Sequence, residues 1–315
     1  YLRVRRVHRD GPNAGLVAEG TRIRAFQAGG ETIAALHTLG IEEPDVLPTF
    51  DEYNQLMRQQ TQLSSAALAG ELWLVTDTGA RHALRTAPRP LSQLPGMFWL
   101  QLLFGIGGAL TGALVWGARR SDQAARLYAM TGLGYLIFAP AAAVYSTREL
   151  LLDGDVFRAL SVANHFGAMF FTASLTSLLS RYPHRLGRFP APALCYGVSG
   201  LLFVADVLQL VSPTLFHFAV LGVFSMSFVF AAGQWWQTRM DPSGRAALRW
   251  FLLSIYLATG LFAGTIIVPA ALNVPAPASQ GVMFGAFLIM YWPSVRCWPW
   301  SPCPFGPFPG CFTRT

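Results

Sequence analysis

The sequence contains no lysine and little charge of any kind. Its 315 residues include 23 basic residues, all of them arginine, and 16 acidic ones, so that charged residues make up 12% of the chain. This is about half the share that is usual in a soluble domain, whereas hydrophobic residues reach 53%. The composition excludes a disordered or collagen-like chain and argues against an ordinary soluble enzyme. It favours a polytopic membrane protein.

Cysteines and the common catalytic motifs are also scarce. Four cysteines do not make a disulfide framework in a chain of this length. The sequence has no GxSxG, HExxH, P-loop or CxxC motif, no phosphoacceptor histidine box and nothing similar to an ATP-binding lid. We therefore predict no catalytic residue, metal site or cofactor. The net charge of +7 does not indicate nucleic acid, because the arginines follow the pattern of membrane-topology charges.

Seven apolar stretches follow Leu94–Pro95. Six of them run to about 20 residues, the length of helix that crosses roughly 30 Å of hydrocarbon. These six predicted spans are 96–117, 126–146, 158–180, 191–211, 215–236 and 250–271. A seventh, 279–292, is shorter and ends before Pro293. The predicted fold is a mainly α membrane protein, in which a seven-helix transmembrane bundle over residues 95–292 follows a small exported α+β domain over residues 1–94.

Arginine alternates between the loops that join these spans. Nine arginines lie in the first, third and fifth loops, whereas the second loop has two that acidic residues offset, and the fourth and sixth have none. Because cytoplasmic loops are enriched in basic residues, the odd loops are predicted to lie inside and residues 1–94 outside. The protein is therefore expected to be a multi-pass protein of a bacterial cell (inner) membrane.

The exported part has the pattern strand, turn, strand, helix and hairpin. Alternating apolar and polar residues predict strands over 2–7 and 21–28, with a turn cluster between them. A helix is predicted over 50–68, with Asp51 as its N-cap or as an acid in its first turn. Its apolar side is formed by Tyr53, Leu56, Met57 and Leu63. Two further strands, 71–75 and 81–86, flank a hairpin turn at residues 77–80.

Few ionisable side chains lie within the predicted spans, so each is a candidate functional group. The candidates toward the outer side are Asp206, His165, His217, Glu149 and Tyr145. Together they would surround an outward-opening polar pocket that binds a small ligand or senses protons. The alternative is that Asp206 and His165 satisfy hydrogen bonds between helices, and that His217 and Glu149 lie at the membrane interface.

The two ends of the chain carry separate expectations. An exported domain needs an export signal, so a signal peptide or a further helix is expected upstream of Tyr1. The segment 293–315 is rich in proline, cysteine and tryptophan and has no helical or strand period. We expect it to be out-of-frame translation after a frameshift close to Tyr291, which would also shorten the seventh span. A cysteine-rich metal knuckle is the alternative, although the cysteine spacings match no zinc pattern.

The turn Gly11-Pro12-Asn13-Ala14-Gly15-Leu16, the strand that begins Thr21-Arg22-Ile23, the long helix and the closing hairpin follow one another within residues 1–94. This arrangement resembles a bacterial PDZ-like domain. The resemblance implies that Gly15 and Leu16, in the turn before the second strand, are candidates for binding a peptide.

Arg126-Leu127-Tyr128, the stretch from Leu179 to Leu186, Arg249-Trp250 and the stretch from Pro275 to Gly281 mark the membrane part. With the exported domain before it, this part resembles multi-pass bacterial sensor histidine kinases, the group that includes the competence quorum-sensing kinases of Gram-positive bacteria. The resemblance covers residues 1–291 and implies the signal-input region of a two-component kinase without its catalytic core.

The same resemblance implies the partners. They are the lipid bilayer, a second copy of the chain in a homodimer, an extracellular peptide or small-molecule signal, and a response regulator. The regulator would be reached through a kinase domain that binds ATP and Mg²⁺ and is missing from this sequence. A multi-pass transporter or channel subunit is the alternative function, but the sequence shows no inverted repeat and few ionisable residues along any one path. An intramembrane enzyme would need paired aspartates or a Ser–His arrangement, and neither is evident.

Overall fold

The computed structural model describes residues 2–4, 7, 9, 11–41, 44, 47–147 and 151–262. Within these ranges the chain is mainly helical, and a small antiparallel sheet lies near its N-terminal end. The predicted span 279–292, the last residues of the predicted span 250–271 and the segment 293–315 lie outside the described residues.

The sheet has five strands, which are β1 (Leu2–Arg3), β2 (Arg22–Ala28), β3 (Glu31–Ala34), β4 (Leu72–Thr76) and β5 (Arg81–Ala83). β2 lies at its centre: β4 pairs with one edge of β2, and β1 and β3 share the other edge. The sequence pattern does not predict β3. Gly29 and Gly30, both with positive φ, turn the chain back directly after β2 and allow β3 to pair with it.

Helix α1 (Phe50–Leu68) packs its apolar side on the sheet, and its bounds match the predicted helix. The N-cap is Thr49, whose hydroxyl accepts a hydrogen bond from the Glu52 amide at 3.3 Å, so Asp51 is the first-turn acid rather than the cap. Gly70, at φ +74°, ends the helix. Tyr53, Leu56, Met57 and Leu63 are all buried, as the periodicity predicts.

Six further helices follow, which are α2 (Gly96–Ala118), α3 (Gln123–Ser146), α4 (Gly154–Leu179), α5 (Ala191–Val207), α6 (Pro213–Gln237) and α7 (Pro242–Phe262). The first five correspond to the first five predicted spans, whereas α7 begins at Pro242, before the predicted span 250–271, so Arg245 and Arg249 lie on a helix rather than in a loop. Side chains cap three of them, since Asp122, Asp153 and Ser212 accept hydrogen bonds from the first-turn amides of α3, α4 and α6.

Helix α5 is shorter than the predicted span 191–211. It ends in a Schellman motif, in which Gln209 has φ +57° and the Leu210 amide bonds to the Ala205 carbonyl at 2.8 Å. A left-handed glutamine is uncommon. The Gln209 side chain is held by α1, because it exchanges amide hydrogen bonds with Asn54 at 3.0 and 3.3 Å.

Three of the described helices are long and apolar enough to cross a membrane: α2, α3, and α6 with the 3₁₀ turn that follows it (Pro213–Met240). Helix α5 is apolar but shorter. Helix α4 is more polar because it lies inside the bundle, where it packs against α3, α5 and α6. Its hydroxyls bond within the protein: Ser174 to Tyr196 Oη at 2.8 Å and Thr176 to the Val223 carbonyl at 3.0 Å.

The α+β domain and the helix bundle share one hydrophobic core. Tyr145, near the end of α3, and Phe157, in the first turn of α4, belong to the same buried cluster as the strands and α1. Polar contacts reinforce this junction, since the Gly154 amide donates to Thr61 Oγ1 at 3.1 Å and Arg89 donates to the Thr147 carbonyl at 3.0 Å. The domain is therefore packed directly on one end of the bundle.

Candidate functional site

A buried histidine–aspartate pair joins α4 to α5. His165 Nδ1 lies 2.7 Å from Asp206 Oδ2, and the two residues are only 6% and 4% exposed. Since the residues are 41 positions apart in sequence, only the packing of α4 against α5 brings them together. A short bond with a carboxylate is strong in a buried setting. The structure thus brings together two of the residues predicted to line the polar pocket, His165 and Asp206.

Aromatic rings from α6 enclose the imidazole of His165. Phe216 stacks on it with ring centroids 4.7 Å apart, and His217 meets it edge-on at 6.0 Å. His217 Nδ1 also lies 3.1 Å from the Pro213 carbonyl, to which it can donate within the first turn of its own helix. His217 is therefore a neighbour of the pair but does not bond to Asp206.

A cavity of about 120 Å³ opens beside the pair. It lies between α1 of the α+β domain and the helices α4, α5 and α6. The residues that line it are Phe50, Tyr53, Arg158, Ser161, Val162, His165, Asp206, Val207, Gln209 and Pro213. The site is thus formed by both parts of the molecule.

Two charged side chains that line this cavity, Asp206 and Arg158, have bonding atoms left over within the described residues. Asp206 Oδ1 is buried and has no hydrogen-bond partner within the described ranges, although Oδ2 bonds to His165. The guanidinium of Arg158 lies over the ring of Tyr53, 5.3 Å from its centroid, and takes part in no ion pair in the part of the chain that the structure describes. A carboxylate and a guanidinium therefore border one small space.

Sequence reasoning missed Arg158, Ser161 and Tyr53 as site residues. A signal for two of them exists in the sequence, because residues 158, 161 and 165 follow a helical spacing of three and four and so share one face of α4. No such signal exists for Tyr53. It belongs to α1, which ends at Leu68, whereas α4 begins at Gly154. Its place in the site depends on how the α+β domain packs on the bundle.

Tyr145, one of the predicted site residues, lies away from this cavity. Tyr145 is fully buried in the shared core, with its ring 5.6 Å from that of Phe157, so it does not line the pocket as expected. The α+β domain packs on the end of α3 and buries Tyr145 there. The sequence period of α3 alone does not predict this contact. Glu149 lies outside the described residues.

The candidate peptide residues lie at a second, open cavity of about 510 Å³ beside the hairpin of β4 and β5. Leu16 is among its lining residues and is about one-third exposed, whereas Gly15, at φ +76°, forms the adjacent turn. Both edges of β2 are already paired. A peptide that binds here would therefore not extend the sheet along β2.

The opposite end of the bundle carries a polar junction between α4 and α6. Gln234 is fully buried and donates to the Leu179 carbonyl at 2.9 Å. Nearby, the Asp241 carboxylate accepts hydrogen bonds from the Gly244 amide at 3.0 Å and from Ser243, and it lies 3.2 Å from His184 Nε2. The backbone hydrogen bond from Gly244, followed by the contacts with His184 and Ser243, lowers the pKa of Asp241.

No group of three or more histidine, cysteine, aspartate or glutamate side chains that could hold a metal occurs among the described residues. No family model matches the chain, and no curated protein or solved structure matches it. Its function is therefore inferred from the site and from the resemblance in its sequence.

Proposed function

We propose that this chain is the signal-input region of a bacterial membrane sensor, built like the multi-pass sensor histidine kinases that its sequence resembles. In this proposal the PDZ-like α+β domain lies outside the cytoplasm, and a bundle of about seven helices carries the signal inward. A kinase core and its response regulator act downstream of the bundle. The observation that carries the proposal is the hydrophobic core that the α+β domain shares with the end of α3 and the start of α4.

A shared core couples the two parts mechanically. Close-packed interiors resist deformation, so a displaced helix moves its neighbours rather than compressing against them. Helix α4 begins against α1 at the Thr61–Gly154 hydrogen bond and ends at Leu179, whose carbonyl accepts a hydrogen bond from Gln234 of α6. A shift of α1 would therefore reach the other end of the bundle through α4.

The cavity beside His165 and Asp206 supplies an input site on this route. It is lined by α1 on one side and by α4 on the other, so an occupant would contact both elements. Ionisable groups within membrane helices are costly and are kept chiefly where they serve function. A peptide at Gly15 and Leu16 would be a second input, acting on the same domain.

A proton-coupled transporter is the second candidate, and the His165–Asp206 pair favours it, because such pairs also mark ion paths. The two candidates differ in what they predict for the chain in lipid vesicles. A transporter would carry protons across the vesicle membrane and lose that flux in Asp206→Asn, whereas a signal-input region would carry none.

A cross-link between the domain and the bundle tests the coupling. Asn54→Cys and Gln209→Cys, introduced together in a cysteine-free background and joined by a short bismaleimide, would fix α1 to the end of α5. We expect hydrogen exchange in residues 179–190 and 237–249 to change by at least about threefold on cross-linking.

The matched control places the same cross-link inside the domain. Gln27→Cys and Thr32→Cys face each other on β2 and β3, so their cross-link should leave exchange in the distant loops unchanged. Equal exchange with and without the Asn54–Gln209 cross-link would show that the domain is a passive cap, and would overturn the proposal.

The kinase assignment has a separate test in the gene. The DNA that follows the codon for Tyr291 should encode, in another frame, the remainder of an apolar helix, a phosphoacceptor helix and an ATP-binding domain. An intact gene whose open frame encodes only the proline-rich segment and then stops would refute the kinase assignment and favour the transporter.

A further inference from the structure

Two side chains of opposite charge face the cavity between α1 and the bundle, and each retains unused bonding capacity. Asp206 Oδ1 has no hydrogen-bond partner within the described ranges, and Asp206 is 96% buried, since only 4% of its surface is exposed. Arg158 contacts the face of Tyr53 but pairs with no carboxylate in those ranges. Arg158 is partly exposed, but the buried Asp206 Oδ1 without a partner calls for an explanation, of which a bound molecule is one.

The geometry points to a binding site for a small zwitterion, a molecule with an ammonium group and a carboxylate, as in a free amino acid. The ammonium group donates to Asp206 Oδ1, and the carboxylate accepts from the guanidinium of Arg158, whose fork of donors suits carboxylates. Phe50 and Val207 supply apolar walls. This inference rests on the proposed function, because it names the chemical class of the signal at that site.

The size of the cavity fits this class. About 120 Å³ is several times the space that one water requires, but too little for a folded peptide or a lipid. Arg158 precedes His165 by two turns of α4, about 10 Å along the helix axis. The long side chain of Arg158 brings its guanidinium closer to Asp206 than this axial separation. The length of the amino acid that binds most tightly therefore measures the distance between the two charged groups.

The experiment uses the full chain in lipid nanodiscs with three probes of increasing length: glycine, β-alanine and 4-aminobutyrate. Ethylamine and propionate serve as controls that carry only one of the two charged groups. We expect at least one of the three amino acids to bind in calorimetric titration. Each single-charge control should bind at least about tenfold more weakly, because it loses one charge-assisted contact.

Variants then assign the two ends of the ligand. Arg158→Gln and Asp206→Asn should each weaken binding of the best amino acid at least about tenfold. Arg158→Gln should leave the affinity for ethylamine unchanged. The matched controls Arg24→Gln and Asp77→Asn alter exposed charges of the sheet and its hairpin that do not line the cavity and should bind as the native chain does.

Two results would overturn the inference: no binding of any of the three amino acids to the folded chain, or binding that Arg158→Gln leaves unchanged. If Asp206→Asn does not fold, Arg158→Gln together with the single-charge controls still decides. Failure here with a positive Asn54–Gln209 cross-link would leave the signal-input function standing with another ligand. Binding without any cross-link effect would instead remove the signal-input function and retain the site.

Discussion

Gly154 shows how closely single residues fit the α+β domain to the bundle. A Cβ atom at this position would overlap the carbonyl oxygen of Met57 and collide with the hydroxyl of Thr61. Both belong to α1, and a backbone carbonyl cannot rotate away. Only glycine therefore lets the first turn of α4 reach α1 and donate its amide to Thr61.

Gly154→Ala should accordingly separate α1 from α4 and destabilise the protein by about 1–3 kcal/mol, the usual cost of overpacking. Gly197→Ala is the matched control, since a Cβ there meets nothing within 4 Å, and a helical alanine is at least as stable as glycine. Thermal unfolding in detergent measures both. Equal stability of the two variants would mean that the domain is not seated on α4 in this way.

Asp241 makes the junction of α6 and α7 sensitive to acid. Its pKa is lowered, first by the Gly244 amide and then by His184 and Ser243, from the ordinary value of 3.8. A carboxyl whose pKa is lower in the folded state adds stability above its unfolded pKa. That stability is lost as the pH falls from about 4 through the lowered value.

We therefore expect hydrogen exchange at residues 241–246 to accelerate as the pH is lowered from 5 to 3, beyond the intrinsic change, in the native chain. In Asp241→Asn this additional acid dependence should vanish, while Ser243→Ala, which removes one neutral donor, should retain most of it. An unchanged pH profile in Asp241→Asn would assign the effect to another group.

At the scale of elements, glycines set the packing of α2, α3 and α4. A Cβ on Gly132 of α3 would overlap the Gly108 carbonyl of α2, and one on Gly167 of α4 would press against Phe138 of α3. Small residues permit such close helix contacts in membranes, where packing rather than hydrophobicity drives association. These three helices form the tightest part of the bundle, and α4 keeps its polar residues inside it.

Gly132→Ala should loosen this unit by about 1–3 kcal/mol because the clash is with backbone. Gly107→Ala, on the neighbouring helix, has open space at its Cβ and should be neutral. Unfolding by titration with sodium dodecyl sulfate compares the two. A neutral Gly132→Ala would indicate that α2 and α3 separate at little cost.

At the scale of the whole molecule, the helices alternate in direction so that the α+β domain lies at one end. Its contacts are with the end of α3, the start of α4 and the end of α5. The arginine-rich segments 118–126, 181–189 and 237–249, which include the starts of α3 and α7, lie at the other ends of the helices. The alternation of arginine in the sequence predicts that residues 1–94 lie outside.

Cysteine labelling on intact cells tests this topology. In a cysteine-free background, Thr78→Cys at the hairpin tip should react with an impermeant maleimide, because residue 78 is exposed. Ser121→Cys and Ser243→Cys should react only after the membrane is permeabilised. Labelling of either serine position from outside would reverse the assignment.

The sequence by itself determined the elements whose residues carry a local period. Helix α1 and the positions of α2 to α6 follow from apolar spacing and length, and the turn at residues 77–80 follows from its glycine. Asp206 and His165 also stood out, because an ionisable group is rare in an apolar run. The sequence pattern predicts neither strand β3 nor the early end of α5, since both depend on positive φ values that the pattern does not reveal.

Only the tertiary structure decided what the site contains. The sequence identified His165 and Asp206 separately. Three features depend on how the elements dock: the bond between these two residues, the contact of Arg158 with Tyr53, and the burial of Tyr145 in the core. Contacts between residues far apart in sequence arise from packing of whole surfaces, and no local period encodes them. The cavity is the space that this docking leaves between two elements, and so it has no signature in either one alone.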